Sequence, residues 1–194
     1  EIASCLVGSE MCIRDSHTAI LPEDRIAAAA AELTANALYL KAPANTEASE
    51  PARVEVSGHD ASIASHGEFV LHTEANARAT YVINHTGSAL YAQNVEMVLD
   101  EGSEMTVIAI HDWADDAVHV ATHVAKIGKD ARLKHIVVTL GGKAVRVNST
   151  ATFTGPGGEV EQDGLYFSDE GQHLEHRLFV DHAAPKCTSN VLYK

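Results

Sequence analysis

The stretch GSEMTVIAIHDWADDAVHVATHVAKIGKDARLKHIVVTLGGKAVRVNSTATFTGPGG, residues 102–158, decides the fold. Runs rich in Val, Ile and Thr alternate in it with turn clusters at Trp113-Ala114-Asp115, Gly128-Lys129-Asp130, Gly141-Gly142 and Pro156-Gly157-Gly158. The same texture extends back to Gly87-Ser88 and forward to Glu170-Gly171 and Ala184-Pro185. Turn centres recur about every 14 residues, so a two-strand unit repeats about every 28, a period that signals a solenoid. Polarity alternates within the strands. Val145, Val147, Ala151 and Phe153 oppose Arg146, Asn148, Thr150 and Thr152, and Leu174, Leu178 and Val180 oppose Glu175, Arg177 and Asp181. This is period-two patterning with one buried face. By the same reading Val118, Val120 and Val124 share one parity, which leaves His119 and His123 on the other, solvated side. Even spacing with few tight Asn-Gly hairpin signals favours an all-β chain coiled as a parallel β-helix over a sandwich or barrel.

One short α-helix precedes the repeat. Pro22 suits a first turn, Glu23 and Asp24 complement a helix N-terminus, and Ile26, Ala30, Leu33, Ala37 and Leu40 recur at helical spacing. Pro43 closes that pattern, and residues 41–52 read as a linker or an extended lead-in strand. The expected organisation is therefore a helix and linker over 17–52 and a β-helix core over 53–194. Residues 1–16 resemble a false translation of sequencing-adapter DNA, expected to be disordered and set apart from the fold. The chain stops at Lys194 inside a strand-like run, which reads as a C-terminally truncated fragment.

Composition narrows the function. The chain has 194 residues, 45% of them apolar, with 14 basic against 27 acidic residues and a net charge of -13. That charge disfavours nucleic acid and anionic membranes as partners. Aromatics at 5% disfavour a sugar- or base-stacking platform, and three cysteines make no disulfide framework. The composition points to a cytoplasmic protein. No nucleophile elbow or phosphate loop is present. Gly155-Pro156-Gly157-Gly158 reads as a turn, and Asp115-Asp116 as turn chemistry.

His173, His176, His182 and Cys187 are the candidate metal ligands, since imidazole and thiol lie together there with several carboxylates. On one strand His173 and His176 point to opposite faces. His176 shares parity with Leu174 and Leu178, which suits a hydrogen-bonded interior histidine. The remaining histidines scatter along the repeat.

From about His17 to Lys194 the chain resembles the SufB/SufD family of iron–sulfur cluster assembly proteins, and more closely its SufD branch, most specifically from Tyr166 to Lys194. The resemblance rests on His111-Asp112-Trp113, Gly128-Lys129-Asp130-Ala131, Leu140-Gly141-Gly142 with Arg146, and Leu165-Tyr166-Phe167. It is densest in Gly171-Gln172-His173-Leu174-Glu175-His176-Arg177, followed by Asp181-His182, Pro185, Ser189 and Tyr193-Lys194. It implies a right-handed parallel β-helix in a cytoplasmic, non-catalytic scaffold. It further implies pairing with a SufB-like subunit through the β-helix and with a SufC-like ATPase through a helical domain beyond Lys194. The iron–sulfur cluster would be handled by the full complex, with no cofactor and no catalytic residue expected in this chain. The repeat by itself also suits a β-helix enzyme acting on polysaccharide, and twelve histidines suit a metal-binding β-barrel.

Overall fold

The computed structural model describes residues 2–3, 22 and 24–194. Of the segment 1–16, Ile2–Ala3 is described as a short strand, β1, antiparallel to Val56 and Glu55; the rest lies outside the described residues. Helix α1 (Arg25–Leu33) follows, then β2 (Leu38–Ala42), β3 (Ala52–Thr73), β4 (Arg78–Leu99), β5 (Glu104–Trp113) and β6 (Val118–Ile127). The series continues with β7 (Arg132–Thr139), β8 (Ala144–Phe153), β9 (Glu159–Tyr166), β10 (His173–Asp181) and β11 (Thr188–Tyr193). Every pairing among β2–β11 is parallel, and the strands wind a β-solenoid of about 6 turns.

Two walls result. One runs from Arg78–Gly87 of β4 through β5, β7 and β9 to β11. The other runs from Leu90–Leu99 of β4 through β6 and β8 to β10. Strands β3 and β4 are long because each bends round a corner and serves both walls. Gly87 makes the bend in β4 with φ +82, and a Cβ there would strike the Gly58 carbonyl of the preceding coil. Only glycine allows that approach at that φ.

The opposite corner is stacked. Asn45, Asn76, Gly102, Asp130, Gly157 and Lys186 each adopt positive φ there, about one per 28-residue coil. The N–H groups of Asn45, Asn76, Gly102, Asp130 and Gly157 donate to carbonyls of Ala75, Glu101, Lys129, Pro156 and Pro185, each on the next coil, at 2.9–3.2 Å. Neighbouring coils thus satisfy each other's corner amides, which water would otherwise have to meet.

Leu40, Phe69, Leu71, Ile83, Met97, Met105, Ile127 and Phe153 fill one end of the interior and are fully buried. Each contributes about 1.5–3 kcal/mol relative to exposure. Trp113, Val137, Val145 and Val147 fill the other end, where the interior also holds polar rings.

Helix α1 covers the second wall from outside. Asp24 caps it, accepting from the Ile26 and Ala27 amides at 2.9 and 2.8 Å with one oxygen and pairing with Arg146 at 2.9 Å through the other. Asn94 Nδ2 donates to the Ala27 carbonyl at 2.9 Å. The helical spacing in the sequence runs on to Leu40, yet α1 ends at Leu33, where Thr34 Oγ1 donates to the Ala30 carbonyl. Leu38–Ala42 pairs instead with Phe69–Thr73, because a parallel ladder with β3 buries Leu40 and satisfies the backbone of the segment together.

Strands β10 and β11 pair on one side each, and Phe167, Phe179, Val191 and Leu192 stand exposed around them. Among the described residues no helix is long and apolar enough to cross a membrane.

Candidate functional site

The inward parity of β6 reverses the sequence expectation. His119 and His123 are fully buried, whereas Val118, Val120 and Val124 are the outward, half-buried set. Hydrophobicity alone favours the valines, but Ala121, Ala125 and Ile127 share the histidines' parity and lie in the core. Stacking across coils decides the matter: His119 sits between Tyr91 and Val145, and His123 between Val95 and Ser149. Outward valines still bury their flanks against neighbours in the ladder.

The first wall supplies the facing rings. His85, His111 and Thr139 stack in register on β4, β5 and β7, and His135 lies nearer the other end of β7. His85 and His111 have ring centroids 4.8 Å apart, and each lies 5.0 Å from His119 across the interior. One ring nitrogen from each of these three residues lies within 4.8 Å of the others.

Each ring is tethered through Nδ1. His85 Nδ1 donates to the Ile110 carbonyl at 3.0 Å, His111 Nδ1 meets Thr139 Oγ1 at 3.2 Å, and Trp113 Nε1 donates to His119 Nδ1 at 3.0 Å. His85 Nε2 lies 2.9 Å from Gln93 Oε1; since that oxygen and the Ile110 carbonyl both accept, a neutral His85 donates to only one of them. Nε2 of His111 and of His119 is buried without a hydrogen-bond partner. Beside this group, His123 Nδ1 and His135 Nε2 share a proton at 3.0 Å. Thr139 Oγ1 also reaches His176 Nε2 at 2.9 Å, and so bridges His111 to His176.

Burial sets the charge state. Loss of hydration holds His85 at about 4, overcoming the opposing pull of its Ile110 and Gln93 hydrogen bonds and of Glu55. It holds His135 at about 4, with help from His176, and His176 itself at about 4. His111, His119 and His123 are pushed well below the ordinary imidazole value by burial and then by their neighbouring rings. At neutral pH the interior therefore holds uncharged imidazoles, each with one lone pair.

The sequence candidates stand elsewhere. His173 is exposed at the start of β10, with Glu175 at 3.8 Å, and His176 points inward, so the two do occupy opposite faces. His182 lies at the open edge, bonded to Ser189 Oγ at 3.0 Å with its ring 5.0 Å from Phe153. Cys187 is a free, half-buried thiol against the core, 3.5 Å from the Gly155 carbonyl. Among the described residues, His85, His111 and His119 are the three-ligand group, and none of these four candidates belongs to it. A usable signal was present: His111 is in phase with Val107, Ala109 and Trp113, and His135 with Leu133 and Val137.

These features define a parallel β-solenoid with a polar, imidazole-lined interior. The profile of the SufBD core domain of the SUF system for FeS cluster assembly matches residues 56–194. A Mycobacterium leprae protein described as an iron–sulfur cluster assembly SufBD family protein is 46% identical over 174 residues, 90% of this chain and 44% of that protein. Proteins of the same description from Mycobacterium bovis and Mycobacterium tuberculosis H37Rv are 45% identical over the same shares. A second Mycobacterium leprae protein of that description is 23% identical over 132 residues, 68% of this chain and 15% of that protein. The chain belongs to the SufBD family of iron–sulfur cluster assembly proteins. It spans less than half the length of the relatives that it matches at 45–46%.

Proposed function

We propose that this chain is the β-helix part of a non-catalytic, SufD-like scaffold subunit for iron–sulfur cluster assembly in the cytoplasm. It pairs with a SufB-like subunit through the β-helix. It engages a SufC-like ATPase through a helical domain outside the chain. Iron and sulfide are the cargo of the whole complex. The observation that carries this reading is the SufBD core match across residues 56–194.

Two further observations support it. The chain is 46% identical to one SufBD family protein of Mycobacterium leprae and 23% to another, a spread that supports a reading as one of two subunit kinds. Its buried histidines are neutral and held by strands rather than aimed into a cleft, as suits a scaffold that keeps side chains at set spacing. The polysaccharide reading loses its support, since Trp113, the single Trp, is buried at 3% and offers no sugar platform. A closed β-barrel is ruled out by the coiled parallel topology.

Co-expression of the full-length protein with SufB-like and SufC-like proteins of the same organism tests the proposal. The expected result is one complex that survives affinity capture and gel filtration. A full-length protein that elutes alone from such cells refutes it.

A further inference from the structure

The scaffold role assigns no ligand to the His85–His111–His119 group. We propose that these residues form a buried site for one divalent, imidazole-preferring transition metal ion of the Co2+ or Zn2+ kind. The inference does not rest on the scaffold role, and either can fail alone.

The arrangement has the parts of a metal site. Three neutral nitrogen donors converge within 4.8 Å of one another on strands of both walls. In His85 and His111 the far nitrogen, Nδ1, is engaged by the Ile110 carbonyl and by Thr139 Oγ1, which is how metal-binding imidazoles are oriented, with the second nitrogen held by an outer acceptor. His119 differs, since its Nδ1 accepts from Trp113. Nε2 of His111 and Nε2 of His119 are buried and unpartnered, a costly state that an ion would relieve. Gln93 Oε1 occupies His85 Nε2 at 2.9 Å, so it must turn aside when that nitrogen binds the ion, and it is then placed to serve as a neutral oxygen donor.

The fit requires a small contraction. The centre of a triangle with sides near the upper limit lies about 2.8 Å from each nitrogen, against about 2.1 Å for a metal–imidazole bond. Rotation of each ring by a fraction of an ångström at its nitrogen closes that gap. His119 must also change tautomer. Its Nδ1 accepts from Trp113, so Nε2 carries the proton in the free ring. When Nε2 binds the ion, that proton moves to Nδ1 and the Trp113 hydrogen bond is lost. No proton leaves the ring overall. The donor set contains no carboxylate, which selects against Mg2+ and Ca2+.

Trp113 reports the event, because it is the single Trp and its ring centroid lies 5.4 Å from those of both His85 and His119. The test uses the full chain stripped with chelator, then titrated with Co2+ at about pH 7.5, where the rings are neutral. A second sample is refolded with Co2+ present, so that slow access to the buried site does not hide binding. The expected result is saturation at one ion per chain, quenched Trp113 fluorescence, and the visible absorption of Co2+ bound by few nitrogen donors. Mg2+ should give no response. His111→Gln and His119→Gln should each weaken binding at least about tenfold, while His123→Gln and His135→Gln leave it unchanged. If His119→Gln does not fold, His111→Gln and the wild-type spectrum still decide. Absence of quenching at one equivalent in the refolded wild type overturns the proposal. So does binding that survives both His111→Gln and His119→Gln.

Discussion

Acidification should unfold this solenoid from the inside. His135 is fully buried, hydrogen-bonded to His123 and faced by His176, with buried Gln162 next to it in register. Its folded value of about 4 lies below the unfolded imidazole value of about 6.5. Between those values the unfolded chain binds more protons, so stability rises with pH across the window and falls as the medium is acidified through it. At about pH 5 the loss from His135 alone is about 2 kcal/mol, and about 3 kcal/mol below pH 4, where it levels off. In the metal-free chain His85 adds a similar amount, and His111, His119 and His123 act in the same direction. Several such terms are comparable with a whole domain's stability of about 5–15 kcal/mol. Urea unfolding followed by Trp113 fluorescence at a series of pH values between about 7.5 and 5 measures the slope. His135→Gln, which keeps a hydrogen-bonding group but cannot charge, should flatten it by about 2 kcal/mol at pH 5. A midpoint that does not move over that range, or a slope untouched by His135→Gln, would refute the neutral-interior argument.

Other substitutions probe other links. Thr139→Val leaves His111 Nδ1 and His176 Nε2 without their shared hydroxyl and should cost about 2 kcal/mol in urea unfolding at neutral pH. Asp24→Ala removes both the α1 cap and the Arg146 ion pair; the expected loss is about 1–2 kcal/mol, and faster amide exchange in residues 25–33 should accompany it. Phe179→Lys with Leu192→Lys replaces two exposed apolar side chains on the outer faces of β10 and β11 and should leave the urea midpoint within about 0.5 kcal/mol of the wild type.

The sequence by itself determined the coil. Turn residues at even spacing and period-two strands are local properties, and each coil writes them again, so a parallel solenoid with two strands per turn was legible. So was the inward place of His176, since Leu174 and Leu178 flank it on a single apolar parity. The extent of α1 was not, because Leu40 fits a helix stripe and a strand equally well; only the ladder offered by Phe69–Thr73 decides between them. The parity of β6 was not legible either, as valines on one side and alanines with histidines on the other leave hydrophobicity with the wrong vote. Whether an imidazole is solvent-facing or interior depends on what stacks above and below it in neighbouring coils. Those partners are a whole coil away in sequence, and the opposing wall is half a coil away. The convergence of His85, His111 and His119 therefore belongs to the tertiary structure alone: winding the chain brings β4, β5 and β6 round one interior, and no local pattern records which rings then meet.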